Sequence, residues 1–186
     1  KHLIALLLVL LAGCSASGTR QLKLNRPTPL ILISIDGFRE DFLDRGLTPT
    51  LNALAASGVQ AEFLRPSFPT LTFPNHYAIV TGLRPDRHGI VANIIEDDRI
   101  PDPLFGAANR SAVEDSRWWN DGIPVWITAK RNGLHSGIMF WPGSEAAVHG
   151  SHPDFWSTYN EKLEGVTRVD KVLDWFALPA DSRPSF

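Results

Sequence analysis

The chain has 186 residues, of which 44% are hydrophobic and 20% charged, and its formal net charge at pH 7 is −2. This composition is that of a folded globular protein and excludes an intrinsically disordered tail. The near-neutral charge gives no indication of a surface that binds nucleic acid or anionic lipid.

The first fourteen residues have the pattern of a targeting segment. An apolar run from Leu3 to Leu11 is too short to cross a bilayer as a permanent helix. Its end, Leu-Ala-Gly followed by Cys14, resembles the cleavage box of bacterial lipoproteins, and Cys14 is the one cysteine in the sequence. We therefore expect residues 1–14 to be a lipoprotein signal peptide with its lipobox, with lipid on Cys14, and residues 15–27 to be a flexible tether. The expected result is an exported protein that is anchored at the periplasmic face of the outer membrane. The alternative is an ordinary signal peptide with an incidental cysteine.

From residue 28 onward, strand and helix signals alternate, as in a mainly parallel sheet with helices on both faces. Residues 30–35 are apolar and rich in β-branched side chains, which predicts a buried strand that delivers the carboxylate of Asp36 to a loop. A helix is predicted over 48–58, with Thr as its cap, Pro at its first position and Gly past its end. Residues 59–64 are predicted to form a second strand.

The next helix is predicted to begin beside Thr72, with Pro74 in its first turn and Gly82 as its stop. A helix start has unpaired N–H groups and a positive dipole end, and both favour a phosphate. A hydroxyl at that point, near a carboxylate able to hold a metal, suggests a metal-activated nucleophile for phosphoryl transfer. Two alternatives remain open: Thr72 could be a helix cap, and Thr70 could be the nucleophile.

The second half of the chain continues the alternation. Residues 84–120 are predicted to form irregular loops over the site, 124–132 a short helix, 135–140 a strand and 165–177 an amphipathic helix. No strand signal follows that last helix. We therefore expect residues 28–186 to be the N-terminal part of a catalytic domain that continues beyond Phe186.

Five short motifs, in this order along the chain, resemble the nucleotide pyrophosphatase/phosphodiesterase family of the alkaline phosphatase superfamily. They are Ser-Ile-Asp-Gly-Phe at 34–38, Thr-Phe-Pro-Asn-His at 72–76, Val-Thr-Gly at 80–82, His-Gly at 88–89 and Phe-Trp-Pro-Gly-Ser at 140–144. The resemblance extends from about residue 29 to residue 175. It implies an α/β fold, an alkaline-phosphatase-like three-layer α/β/α sandwich with a mainly parallel sheet, incomplete in this chain.

The resemblance also implies roles for individual residues. Thr72 matches the family nucleophile, whose oxygen also contacts a zinc ion, and Asp36 matches a zinc ligand. Asn93 matches the residue that donates a hydrogen bond to a phosphate oxygen, which it would hold together with the N–H of Phe73. From local sequence alone, Asp36 reads equally well as a turn residue and Asn93 as an ordinary loop residue.

Phe73 and Tyr159 resemble the aromatic pair that sandwiches a nucleotide base in family members. Ordinary core packing is the alternative for Phe73, and Trp156 is the alternative to Tyr159. The resemblance implies two zinc ions in the complete enzyme, with the remaining ligands beyond Phe186. The histidines do not form a metal cluster by themselves. His2 lies in the signal segment, and we expect the others to be structural: His76, His88, His135, His149 and His152.

The function implied is hydrolysis of nucleotide phosphodiester or pyrophosphate bonds through a covalent intermediate on Thr72, releasing nucleoside 5′-monophosphates. Two alternatives stay open on sequence grounds. One is a relative that acts on lipid or choline-type phosphodiesters. The other is a non-catalytic lipoprotein that binds nucleotides.

Overall fold

The structure is a computed structural model that describes residues 28–102 and 104–186. The predicted signal peptide, the tether and Cys14 therefore lie outside the described residues. No helix in the described part of the chain is long and apolar enough to cross a membrane.

Helices dominate the described residues. They are α1 Pro49–Ser57, α2 Thr72–Thr81, α3 Pro85–His88, α4 Arg110–Val113, α5 Val125–Arg131 and α6 Gly165–Phe176, with 3₁₀ turns at Glu40–Arg45 and Ser116–Trp118. The predicted helices α1, α2, α5 and α6 are confirmed within one or two residues. Gly82 ends α2 in the left-handed conformation (φ 69°), and its N–H donates to the carbonyl of Ala78. Thr48 does not cap α1 with its side chain, since its hydroxyl points to Asn52 Oδ1 at 3.3 Å.

Two small sheets accompany the helices. Strand β1, Ile94–Ile95, pairs antiparallel with β2, Phe105–Gly106. Strand β3, Gly137–Met139, pairs parallel with β4, Phe155–Ser157, and β3 lies inside the predicted strand at 135–140. The prediction that 84–120 is irregular was wrong, because α3, β1, β2 and α4 fall in it. Elements of two to four residues are too short to produce a periodic hydrophobic pattern.

The predicted strands at 30–35 and 59–64 do not form in the described structure. Ile33 is 77% exposed and Val59 is fully exposed. At one end of the first segment the Leu30 N–H donates to the Ser185 carbonyl at 3.0 Å, but no strand ladder follows. A strand is held by hydrogen bonds to a neighbouring strand, and the described residues provide none beside either segment. The apolar sequence of these segments indicates that they tend to form strands. It does not show whether a neighbouring strand is present to pair with them.

The core is aromatic and lies between α2 and the chain that leads into α5. The Tyr77 hydroxyl donates to the Trp119 carbonyl at 2.5 Å, and their rings meet edge to face at 5.0 Å. Burial raises the pKa of Tyr77 well above its usual value. Gly143 lies against the Trp119 ring with φ 88°, and an added Cβ would come within 2.8 Å of that ring. This packing fixes α2, which carries Thr72 at its first position.

Candidate active site

Thr72 and Asp36 are joined by a hydrogen bond although 36 positions separate them in the chain. The Thr72 hydroxyl donates to Asp36 Oδ2 at 2.8 Å. Thr72 is the first residue of α2, and the N-cap is Leu71, which makes no side-chain cap. The hydroxyl is thus directed at the carboxylate and not at the helix N–H groups, so Thr72 does not act as a cap. Thr70, the alternative nucleophile, is exposed and does not line the groove beside Asp36.

Asn93 is bonded to the start of α2, at the residue after Thr72. The backbone N–H of Phe73 donates to Asn93 Oδ1 at 3.0 Å. The structure thus brings Asn93 to the residue next to the predicted nucleophile. It also differs from the sequence prediction, because the Phe73 N–H is bound to Asn93 and does not face open space. The NH₂ group of Asn93 has no hydrogen-bond partner among the described residues, and Asn93 does not line the groove that contains Asp36 and Thr72.

The two predicted aromatic residues line one groove of about 730 Å³, together with Asp36 and Thr72. The Phe73 ring also packs against Trp119, with ring centres 6.1 Å apart, so the core-packing alternative is partly correct. Tyr159 is 49% exposed and meets Phe140 edge to face at 5.3 Å. Tyr159 is thus half exposed where it lines the groove.

Trp156, the alternative to Tyr159, does not line that groove. Its ring is stacked on His152 with the ring centres 4.8 Å apart and the planes 9° apart. A ring face occupied in this way is not presented to a base in the groove. Tyr159 is therefore the better placed of the two.

An ion pair that sequence analysis missed forms part of the same groove. Glu145 is 7% exposed, and its carboxylate accepts hydrogen bonds from both terminal nitrogens of Arg110, one of them at 3.1 Å. The bond to Glu145 raises the pKa of the Arg110 guanidinium above its usual value. A buried carboxylate is tolerated because it is paired in this way. The two residues are 35 positions apart, and no local spacing in the sequence would have linked them.

His76, predicted to be structural, contacts the predicted nucleophile directly. Its Nδ1 lies 2.7 Å from the Thr72 carbonyl oxygen and its Nε2 lies 2.8 Å from Ser34 Oγ. The ring meets Trp141 edge to face at 5.2 Å, and Trp141 Nε1 donates to the His76 carbonyl at 2.9 Å. In the sequence, this contact is indicated by the i, i+4 spacing of Thr72 and His76, which places the two residues on one face of a helix.

Asn75 has a structural role in the turn that precedes α2. Its NH₂ donates to the carbonyls of Pro69 and Leu71, at 2.9 and 3.0 Å, and its Oδ1 accepts the Ser67 N–H at 2.7 Å. These bonds hold the turn that leads into α2. The position of Thr72 at the helix start follows from that turn.

The described residues do not by themselves complete a metal centre. Within 28–102 and 104–186, no group of three or more His, Cys, Asp and Glu side chains could hold a metal ion. Asp36 and Thr72 nevertheless place a carboxylate and a hydroxyl oxygen together, which are donors that zinc accepts. A catalytic zinc site takes about three protein ligands. The two predicted zinc ions therefore stay a prediction about the complete protein.

The comparisons with known proteins agree with this geometry. The family model described as type I phosphodiesterase/nucleotide pyrophosphatase matches residues 30–186. An uncharacterized pyrophosphatase/phosphodiesterase of Schizosaccharomyces pombe is 39% identical over 180 residues, which cover 97% of this chain and 36% of that protein. Human ectonucleotide pyrophosphatase/phosphodiesterase family member 1 is 42% identical over 162 residues, which cover 85% of this chain and 17% of that protein. The chain thus spans well under half the length of these relatives.

Among solved structures, murine ectonucleotide pyrophosphatase/phosphodiesterase 5 is similar in fold, with a TM-score of 0.79 and 34% identity. The match covers 86% of this chain and 41% of that one, and that structure is of an inactive threonine-to-alanine variant in complex with AMP. The predicted α/β class is confirmed, and this chain forms part of an alkaline-phosphatase-like fold. The chain belongs to the type I phosphodiesterase/nucleotide pyrophosphatase family.

Proposed function

We propose that the complete protein hydrolyses nucleotide phosphodiester and pyrophosphate bonds through a covalent intermediate on Thr72 and releases nucleoside 5′-monophosphates. The observation that carries this proposal is the Thr72–Asp36 hydrogen bond at the N-terminus of α2. Among the relatives, the murine protein is described as inactive when a threonine is replaced by alanine, and as binding AMP. Both descriptions agree with a threonine-dependent reaction on a nucleotide.

In the proposed reaction, the Thr72 oxygen attacks phosphorus and the bond to the leaving oxygen breaks. The nucleotidyl group is then held on Thr72 until water attacks the same phosphorus, which releases the monophosphate and restores the hydroxyl. The start of α2 favours the negative charge of the phosphate through its dipole. The NH₂ of Asn93 donates to a non-bridging oxygen, where charge increases in the transition state.

The base of the nucleotide is proposed to occupy the groove that Phe73 and Tyr159 both line. Aromatic faces stack on any base, so this slot recognises a nucleotide without strict base selection. The half-exposed side chain of Tyr159 and the half-buried ring of Phe73 support this placement.

Zinc dependence is part of the proposal. Asp36 and Thr72 would hold a metal, and a bound zinc ion supplies the positive charge that stabilises a deprotonated hydroxyl. We propose two zinc ions, with the remaining ligands from the chain beyond Phe186. Residues 28–186 alone should then bind zinc weakly and be inactive, which dialysis of that piece against zinc and a metal assay would test.

Attachment to the outer membrane through lipid on Cys14 is also proposed, on the basis of the lipoprotein-like sequence that precedes it. Stable anchoring needs more than one acyl chain, which bacterial lipoprotein processing provides. Cell fractionation of a Cys14→Ser variant tests this. Loss of the protein from the membrane fraction is expected, and unchanged association would contradict the anchor.

The nucleophile is tested by Thr72→Ala in the complete protein, with Thr70→Ala as the matched control. Turnover of a chromogenic nucleotide phosphodiester should be lost in Thr72→Ala, and AMP should still bind. Thr70→Ala should keep turnover, because its side chain does not line the groove. Near-normal turnover by Thr72→Ala, or its loss in Thr70→Ala, would contradict the proposal.

A further inference from the structure

Two hydrogen bonds run side by side between the segment that ends in Asp36 and helix α2. Asp36 accepts from the Thr72 hydroxyl at 2.8 Å, and Ser34 Oγ lies 2.8 Å from His76 Nε2. Residues 34 and 36 are two apart, as for side chains on one face of an extended chain, and 72 and 76 share one face of a helix. Among the described residues, these are the hydrogen bonds that link positions 34–36 to α2.

The hydrogen-bond partners of the His76 ring determine which ring nitrogen carries the hydrogen in the neutral form. The Thr72 carbonyl oxygen can only accept, so Nδ1, at 2.7 Å from it, carries the hydrogen. In the neutral ring, Nε2 then accepts from the Ser34 hydroxyl. The ring therefore connects the main chain of Thr72 to Ser34, and its edge-to-face contact with Trp141 restricts its orientation.

We infer that His76 is a positioning residue for Thr72, and that with Ser34 it sets the separation between the Thr72 hydroxyl and the Asp36 carboxylate. This inference rests on the proposed function, since it concerns the geometry of the same nucleophile. The Ser34–Asp36 segment is exposed and lies in no strand of the described structure. Its distance from α2 thus depends on side-chain bonds, and the Ser34–His76 bond is the one that does not involve the reacting group.

Substitutions at positions 76 and 34 distinguish the two hydrogen bonds of the His76 ring, one to the Thr72 carbonyl and one to Ser34. In His76→Asn, the amide nitrogen occupies the place of Nδ1 and can still donate to the Thr72 carbonyl, but nothing reaches Ser34. Ser34→Ala removes the same Ser34–His76 bond from the other side. His76→Ala removes both bonds. His135→Ala is the matched control, because that histidine lies near Asp154 at 3.6 Å and does not line the groove.

The experiment measures kcat and KM for a chromogenic nucleotide phosphodiester with the complete protein, normalised to the fraction that binds AMP. His76→Ala should lower kcat about ten- to a hundredfold, as for loss of an orienting partner, with KM little changed. His76→Asn should recover only the part of that loss that comes from the bond to the Thr72 carbonyl. The losses in His76→Asn and Ser34→Ala should be similar and should not add in the double variant, since both substitutions remove the same Ser34–His76 bond. His135→Ala should keep wild-type kcat.

Two results overturn the inference. One is wild-type kcat in His76→Ala while Thr72→Ala is inactive, which contradicts this inference alone. The other is full additivity of Ser34→Ala and His76→Asn, which shows that the two side chains act independently. An inactive wild-type protein would contradict the proposed function and, with it, the role of His76.

Discussion

Asn93 Oδ1 accepts the backbone N–H of Phe73 at 3.0 Å, so the loop that follows α3 is bonded to the first turn of α2 directly beside Thr72. The bond gives Asn93 two separate roles. Its oxygen fixes the start of the helix, and its NH₂ group, which has no partner among the described residues, is the donor that we propose for the phosphate.

The two roles predict different results for two substitutions at this position. Asn93→Ala should lower kcat by about 10²–10³, as for loss of one donor to a developing negative charge. Asn93→Asp keeps an acceptor for the Phe73 N–H but cannot donate, so it should be at least as impaired while remaining folded. Steady-state kinetics with thermal melting as the control distinguishes these outcomes. Wild-type turnover in Asn93→Asp would show that the NH₂ group has no part in the reaction.

Tyr77→Phe tests the packing that supports α2. The substitution removes the buried hydroxyl that donates to the Trp119 carbonyl and leaves that oxygen with the longer bond from the Gly122 N–H, at 3.4 Å. The free energy of unfolding should fall by about 0.5–1.5 kcal/mol, the usual net contribution of one hydrogen bond. Tyr159→Phe is the control, because that ring is half exposed and should change stability by less than about 0.5 kcal/mol. Equal effects of the two substitutions in denaturant titrations would contradict this account of the core.

His88 predicts a pH dependence of stability. The ring is fully buried beside Tyr77, its Nδ1 accepts the Ile90 N–H at 3.2 Å, and its Nε2 has no hydrogen-bond partner in the described structure. Burial lowers the pKa of His88 below its usual value of 6.5, and the Pro74 carbonyl opposes this only in part. The unfolded chain therefore binds this proton at higher pH than the folded one.

Because of this difference, the free energy of unfolding should fall as the pH drops below about 6.5, where the unfolded chain takes up the proton on His88. Above that pH, His88 should have no effect on the free energy of unfolding. His88→Asn retains an acceptor for the Ile90 N–H but does not titrate. Denaturant titrations between pH 5 and pH 8 should show a shallower decline with acid in His88→Asn than in the wild type. Identical slopes would mean that other groups cause the acid sensitivity.

The parts of the fold that could be predicted from sequence are those determined locally. Helix α2 was predictable because its proline, its apolar run and Gly82 all lie within one short segment. Strand β3 falls inside the strand predicted at 135–140, but residues 59–64 have strand-like composition and still form no ladder without a neighbour. Strand formation depends on residues distant in the chain.

The same distinction applies to the site. Asp36, Thr72 and Asn93 were found through motifs, and the structure joins them through α2. The Arg110–Glu145 pair was missed, because it forms between residues 35 positions apart. The role of His76 was not predictable from a metal-ligand pattern, because its partner is a backbone carbonyl one helical turn away.

The most direct test of the central claim is to trap the intermediate. The complete protein is mixed with a nucleotide phosphodiester, quenched in acid within one turnover, and digested for mass spectrometry. The account predicts that the peptide containing Thr72 gains the mass of one nucleoside monophosphate residue, with fragmentation placing it on Thr72 and no gain in Thr72→Ala. An adduct on Thr70 or another residue, or hydrolysis at the normal rate by Thr72→Ala, would contradict it.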